Sequence, residues 1–170
     1  MTYPTFLVIG AMKAGTTTLH AQLDSHPDVF MSRTKELHYF AESKNWRRGP
    51  TWYAEQFADG RGCAARGEAS PSYSQADIFP GVPARVASTI PDVKLIYLVR
   101  DPIERMQSMY LHQRANGLET RPIDEAFRRE TYYLNSSRYG WQLEQYSGHV
   151  PPERIKVVRT ERLRTDLAAL

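Results

Sequence analysis

The 170-residue chain reads as an α/β domain with a mostly parallel central sheet, because strand and helix signals alternate along it. Two junctions carry that reading. In the first, the apolar run Phe6-Leu7-Val8-Ile9 meets two glycines five residues apart, Gly10 and Gly15, with Lys13 between them and Thr16-Thr17-Thr18 where a helix should begin. In the second, Val93-Lys94-Leu95-Ile96-Tyr97-Leu98-Val99 has the pattern of a buried strand and ends in Arg100. Asp101-Pro102-Ile103-Glu104 then offers an N-cap, a proline at the first helical position and an acid at the third, as a capping box requires.

After the first loop, a helix is expected from about Thr16 to Ser25, with Leu19 and Leu23 on one face and a stop near Pro27. Val29-Phe30-Met31 reads as a short second strand. Residues 41–62 are richer in Trp, Gly and charge and read as loop, with a short helix around Trp52 to Phe57. Ala65-Arg66-Gly67-Glu68 is a strand end leading into the turn Ser70-Pro71-Ser72-Tyr73, and Pro80 to Thr89 mixes turn signals with a short helix. The helix that starts at Pro102 should reach about Arg114 and turn Ile103, Met106 and Tyr110 toward the core. Two further helices are expected near Ile123–Glu130 and Ser137–Ser147. Ile155-Lys156-Val157-Val158 is a last strand, followed by a helix cut short by the chain end at Leu170.

Composition bounds the function. A chain of this length builds one ordinary core. Apolar residues at 41% and charged residues at 24% are globular values. The net charge of +3 suits anionic ligands without calling for nucleic acid. Cys63 is the lone cysteine, which excludes an internal disulfide and points to a reducing, cytoplasmic setting. There is no secretory leader pattern and no run of membrane-spanning length. Nothing in the chain signals an oligomeric state.

Three groups of residues carry chemistry, each at the carboxyl end of an expected parallel strand or just beyond one, where ligands gather in open α/β sheets. The loop around Lys13, with Ala14, Gly15, Thr16 and Thr17, has the build of an anion cradle. Backbone N–H groups at a helix entry point at a phosphate, glycines let the main chain approach, and the lysine adds a mobile charge. It differs from a nucleoside-triphosphatase loop, where Lys-Ser/Thr follows the second glycine; here Thr16 holds that place. The second group is Arg100 with Ser108. A guanidinium at a strand end can grip a phosphate bidentately, and Ser108 lies two turns into the next helix on a face with Glu104 and Arg105. The alternatives are a surface ion pair for the arginine and plain solvation for the serine. The third is Lys35-Glu36-Leu37-His38-Tyr39-Phe40, where Glu36 and His38 alternate and would point the same way on an extended backbone. A carboxylate there can take a proton from a hydroxyl nucleophile, a role typically contributing about 10²–10⁴-fold; a solvated glutamate and a satisfied core histidine are the bland alternative.

In this order these residues resemble the sulfotransferases that use 3′-phosphoadenosine 5′-phosphosulfate, above all bacterial relatives of the heparan sulfate sulfotransferase branch. The motifs are Gly10-Ala11-Met12-Lys13-Ala14-Gly15-Thr16-Thr17, Lys35-Glu36-Leu37-His38-Tyr39-Phe40, Gly67-Glu68-Ala69-Ser70-Pro71-Ser72-Tyr73 and Leu98-Val99-Arg100-Asp101-Pro102-Ile103-Glu104-Arg105-Met106-Gln107-Ser108. The likeness runs from about residue 5 to 167. It implies a P-loop-like three-layer fold in which the first loop holds the 5′-phosphosulfate, Arg100 and Ser108 hold the 3′-phosphate, and Glu36 is the catalytic base. Family members usually continue past the Ile155–Val158 strand into a segment that closes over the nucleotide, so residues 1–170 read as a single sulfotransferase-like domain lacking that C-terminal segment. In relatives acting on heparan sulfate a lysine often follows the glutamate of the Glu-x-Ser/Thr-Pro turn; Ala69 stands there instead, which removes one matching acceptor contact.

The residues and the resemblance agree on in-line displacement. A hydroxyl or amine of a carbohydrate, lipid or other small acceptor attacks sulfur while Glu36 takes its proton, with His38 beside it. Lys13 and the loop N–H groups stabilise charge on the departing oxygen. No metal is called for, since lysine and backbone donors handle the charge and no compact His/Cys/Asp cluster has ligand spacing. His20, His26, His112 and His149 read as capping, packing or surface groups. Trp46, Trp52, Tyr53 and Tyr73 are open to acceptor stacking or to local core, and Arg47 and Arg48 to an anionic acceptor or to solvent. Two rival functions stay open: a P-loop nucleotide phosphotransferase, and a non-catalytic binder of nucleotides or sulfated glycans.

Overall fold

The computed structural model describes residues 1–165. One five-stranded sheet organises them: β1 (Phe6–Gly10), β2 (Val29–Met31), β3 (Ala65–Ala69), β4 (Lys94–Val99) and β5 (Ile155–Arg159), in the spatial order β2-β3-β1-β4-β5. Every pairing is parallel. The central strand β1 is buried at all five positions, which is why it reads as an unbroken apolar run rather than as alternation. From β1 the chain moves to one edge of the sheet, and from β4 to the other. The carboxyl ends of these two neighbours therefore open a crevice at the reversal of strand order.

Helices connect the strands: α1 (Thr16–Asp24), α2 (Gly49–Glu55), α3 (Val82–Thr89), α4 (Pro102–Ala115), α5 (Ile123–Arg129), α6 (Thr131–Asn135), α7 (Tyr139–Glu144) and α8 (Arg162–Thr165). The α4 start is built as its sequence demands, with Asp101 Oδ1 accepting from the Glu104 N–H at 3.0 Å and Pro102 in the first turn. Where the observed elements differ from expectation, local chemistry explains it. The helix expected around Trp52–Phe57 begins earlier, at Gly49, because Pro50 is pre-set for a first turn. The helix expected over Ser137–Ser147 is the shorter α7, and a further short helix that was not expected, α6, precedes it across the Ser136–Arg138 break. The part of the last helix expected beyond Thr165, toward Leu170, falls outside the described residues.

The main core wraps β1 and β4, with Tyr39, Phe40, Tyr53, Phe57 and Tyr146 filling the space between loops and sheet. A second, smaller cluster joins Met106 and Met109 of α4 to Ala126 of α5 and Tyr133 of α6, and Met12 from the first loop packs against it. Ile103, expected in the core, is instead 59% exposed. At 3.6 residues per turn, Arg105, Met106 and Met109 share an arc of about 100°, and Ile103 falls outside it. The fully buried member of that inner arc is Arg105.

Candidate functional site

The site assembles where β1, β3, β4 and β5 end. Beyond Gly10 the chain turns through Ala11–Gly15 into α1, with left-handed backbone at Lys13 (φ +67°) and at the N-cap Gly15 (φ +92°). Gly15 suits that conformation because it lacks a Cβ. The loop is tied on several sides. Ala11 N–H donates to Leu98 C=O at 2.7 Å, and Ala14 N–H to Ala11 C=O at 3.0 Å. Thr160, just past β5, donates from Oγ1 to Ala14 C=O (2.7 Å) and contacts Val99 C=O (3.0 Å). Leu19 N–H bonds to Gly15 C=O at 3.0 Å, so the N–H groups of Thr16, Thr17 and Thr18 belong to the open first turn of α1. That turn carries the positive end of the helix dipole.

Arg100 follows β4. Its Nε and Nη2 donate to Glu104 Oε2 at 3.1 and 2.9 Å, the ion pair that sequence reading left open. Its guanidinium nevertheless faces the same space as Lys13. A cleft of about 470 Å³ brings Lys13, Gly15, Thr18, Arg100 and Thr160 together with Glu104 and Glu161, so two cations read separately from sequence meet in one cavity alongside two carboxylates. Ser108 is half-buried one turn beyond Glu104 and stands outside that lining. A cavity of about 530 Å³ at the opposite, amino-terminal edge of the sheet is slightly larger. Its Arg66 is already spent on the carbonyls of Tyr3 and Cys63, and it has no helix N-terminus comparable to α1, so position and chemistry favour the Lys13 cleft.

The Lys35–His38 segment is not extended, contrary to expectation: Glu36 and His38 both have positive φ (+63° and +49°). The two side chains still meet, by a tight turn rather than by strand alternation. His38 Nε2 lies 3.3 Å from Glu36 Oε2, and Lys35 Nζ donates to Glu36 Oε1. The His38 hydrogen bond, and after it the Lys35 ammonium, outweigh burial and bring the Glu36 carboxyl down to about 2. On its other side His38 Nδ1 is 2.7 Å from Ser72 Oγ. A ring with its hydrogen on Nε2 satisfies both contacts, donating to Glu36 and accepting from the serine.

This segment is anchored to the turn that follows β3. Glu36 N–H donates to Ala69 C=O (3.1 Å), and His38 N–H to Ser70 Oγ (3.0 Å). Ser70 Oγ in turn donates to Glu68 Oε2 at 2.7 Å. Glu68 is wholly buried and also accepts from the hydroxyls of Tyr53 (2.7 Å) and Tyr73 (2.8 Å); burial pushes its carboxyl upward against the pull of these three donors. Tyr53 and Tyr73 are thus core residues of the site's support, which overturns acceptor stacking for them. Trp46 and Trp52 also pack against the main core, with the Arg85 and Arg48 guanidiniums over their rings. His20 and His26 serve local packing and turns: His20 Nε2 contacts Ser32 C=O, and His26 Nδ1 accepts from Asp28 N–H.

Sequence reading missed three contributors. Glu68 stands in the Gly67–Tyr73 motif, where its sequence position assigns it no role. Thr160 sits past the last strand and had no signal of its own. In the sequence Arg105 is marked only as sharing a face with Ser108 and has no role of its own there, although its i,i+4 spacing to Met109 puts it on the inner stripe. Its Nε donates to Ser137 Oγ (2.6 Å), Nη1 to Met12 C=O (3.3 Å) and Nη2 to Tyr133 C=O.

Comparison with known proteins fits this geometry. A membrane-associated sulfotransferase, kil1 of Dictyostelium discoideum, is 39% identical over 110 residues, covering 63% of this chain and 22% of that protein. The human bifunctional heparan sulfate N-deacetylase/N-sulfotransferase 2 is 29% identical over 192 residues, covering 98% of this chain and 21% of that protein. The chain thus spans about a fifth of the length of these curated relatives. The crystal structure of a sulfotransferase from Alicyclobacillus acidocaldarius superposes with a TM-score of 0.83 at 29% identity, covering 98% of this chain and 76% of that one. The sulfotransferase domain family matches residues 3–169, nearly the whole sequence, and the chain belongs to that family.

Proposed function

We propose that this domain transfers a sulfuryl group from 3′-phosphoadenosine 5′-phosphosulfate to a hydroxyl or amine of a carbohydrate, lipid or other small acceptor. The observation that carries this reading is the single cleft shared by Lys13 and Arg100 at the open end of α1. Two cations from neighbouring strand ends, beside unbonded helix N–H groups, fit a donor with phosphates at two separate places. Lys13, Ala14, Gly15, Thr16 and Thr17 would hold the phosphosulfate end, and Arg100 the 3′-phosphate, with Ser108 one turn further along α4. The bound donor supplies an activated sulfuryl group.

The chain's own residues supply proton transfer and charge stabilisation. Glu36, held ionised by His38 and Lys35, accepts the acceptor's proton. A carboxylate this acidic is a weak base at rest. Loosening its bond to His38, the larger influence, or to Lys35 raises its basicity. His38 orients the carboxylate from one side and is itself fixed by Ser70 and Ser72. Lys13 and the first-turn N–H groups offset charge on the departing oxygen, electrostatics that need no reorganisation during the reaction.

Calorimetry with adenosine 3′,5′-bisphosphate against ATP–Mg²⁺ tests the donor. Preferential, metal-independent binding of the bisphosphate is expected; tight metal-dependent ATP binding would replace the reading with nucleotide phosphotransfer. Sulfate transfer to a panel of sugar, lipid and phenol acceptors tests the chemistry, and binding without transfer to any of them would leave a nucleotide-binding domain.

A further inference from the structure

We propose that Arg105 is a positioning residue for the anion loop: its buried guanidinium holds the Met12 carbonyl and so aims the Lys13 backbone N–H into the cleft. This deepens the donor reading above and rests on it. The Met12–Lys13 peptide is trans, so the carbonyl of Met12 and the N–H of Lys13 lie in one plane and point in opposite directions. Arg105 Nη1 takes that carbonyl at 3.3 Å from the α4 side, and the N–H is turned the other way. Lys13 has φ +67°, a conformation that an L-residue keeps only when its neighbours over-determine it. The Arg105 bond lies on the peptide immediately before it.

The guanidinium is itself rigidly mounted. Ser137 Oγ accepts from Nε and the Tyr133 carbonyl from Nη2, so α4, α6 and the loop converge on one planar fork. Among the described residues, no carboxylate lies within ion-pair distance of it; the groups around it are Tyr97, Tyr132 and Tyr139. A buried cation without an anionic partner is unfavourable by itself. Its neighbours Met106 and Met109 show that apolar side chains pack well on this face. In low-dielectric surroundings its charge reaches the loop with little screening, so it adds to the loop's attraction for an anion.

The test compares two ligands on the full chain by calorimetry: adenosine 3′,5′-bisphosphate and adenosine 3′-monophosphate. The ratio of their affinities reads the grip on the 5′-phosphate alone. Arg105→Met should weaken the bisphosphate by about tenfold or more while changing the 3′-monophosphate by less than about threefold. Arg105→Lys keeps the charge but not the fork and should fall between. A merely structural arginine would weaken both ligands alike, and an unchanged ratio overturns the proposal. Should Arg105→Met lose its fold by circular dichroism, Arg105→Lys and Ser137→Ala carry the same test. The ratio must fall in both, and a wild-type ratio in either refutes it. A wild-type protein that binds neither ligand would instead refute the donor reading, a result that no variant can mimic.

Discussion

Gly10 offers the most demanding check of how β1 delivers the loop. Its φ is +150°, and a Cβ added there would lie 2.0 Å from Ser74 Oγ, 3.1 Å from Tyr97 Cε2 and 3.2 Å from Ser74 Cβ. Ordinary contact begins at 3.4 Å, so in Gly10→Ala the Ser74 hydroxyl must retreat by 1.4 Å (3.4 − 2.0). Rotating it breaks its bond to Pro71 C=O and leaves the other two contacts in place, one of them to a buried ring of the neighbouring strand. Overpacking of this kind costs about 1–3 kcal/mol, and the left-handed φ adds about 1–3 kcal/mol for a residue with a Cβ. Together they give roughly 4 kcal/mol, a fall in Tm on the order of 10 °C for a chain of this size. Urea denaturation followed by circular dichroism measures it. Combining the change with Ser74→Ala, which removes only the closest contact, should recover about 1 kcal/mol, and with Ser74→Gly about 2 kcal/mol. A Gly10→Ala protein within about 0.5 kcal/mol of wild type would refute the reasoning, as would strictly additive double variants.

Other expectations bear on the site itself. Glu36→Gln should lower turnover about a hundredfold or more with little change in donor KM, read from initial rates. The Glu36 carboxyl is depressed to about 2, below its unfolded value of 4.5, so the stability it contributes is complete above 4.5 and disappears as pH falls through about 2. Thermal melts from pH 6 down to 2 should show this loss in wild type and not in Glu36→Gln. Lys13→Ala should also cut turnover about a hundredfold, whereas Arg100→Ala should act mainly on donor binding, because its contact is remote from the reacting sulfur. Glu104→Gln releases Arg100 from its 2.9 Å ion pair and should tighten adenosine 3′,5′-bisphosphate binding. A gain of about two- to fivefold at low salt that vanishes at high salt is expected from calorimetry, since the pair is largely exposed.

Much of this was legible in the chain because local chemistry decides it. The apolar runs Phe6–Ile9 and Val93–Val99 read as covered parallel strands, and Asp101-Pro102 with Glu104 as the opening of a helix. Lys13 and Arg100 were legible as cations at strand ends, but their meeting in one cleft depends on β1 and β4 being neighbours, which no local signal encodes. The approach of Glu36 to His38 was anticipated for the wrong reason, since two left-handed residues and the Ser70–Ser72 turn create it. Glu68 and Arg105 escaped notice because a charged side chain reads as exposed unless its partners are known. Those partners, Tyr53, Ser137 and Met12 among them, lie far away along the chain.

Thr160 reaches back across 146 positions to fasten the carbonyl of Ala14. During synthesis the glycine loop therefore leaves the ribosome well ahead of this strut, with β2, β3, β4 and β5 made in between. Any nascent intermediate that ends before this threonine presents an unbraced loop, however well its first strands have paired. Such distant closure slows maturation relative to helical domains. It also ties a braced ligand loop to the seating of β5, the strand that Thr160 follows.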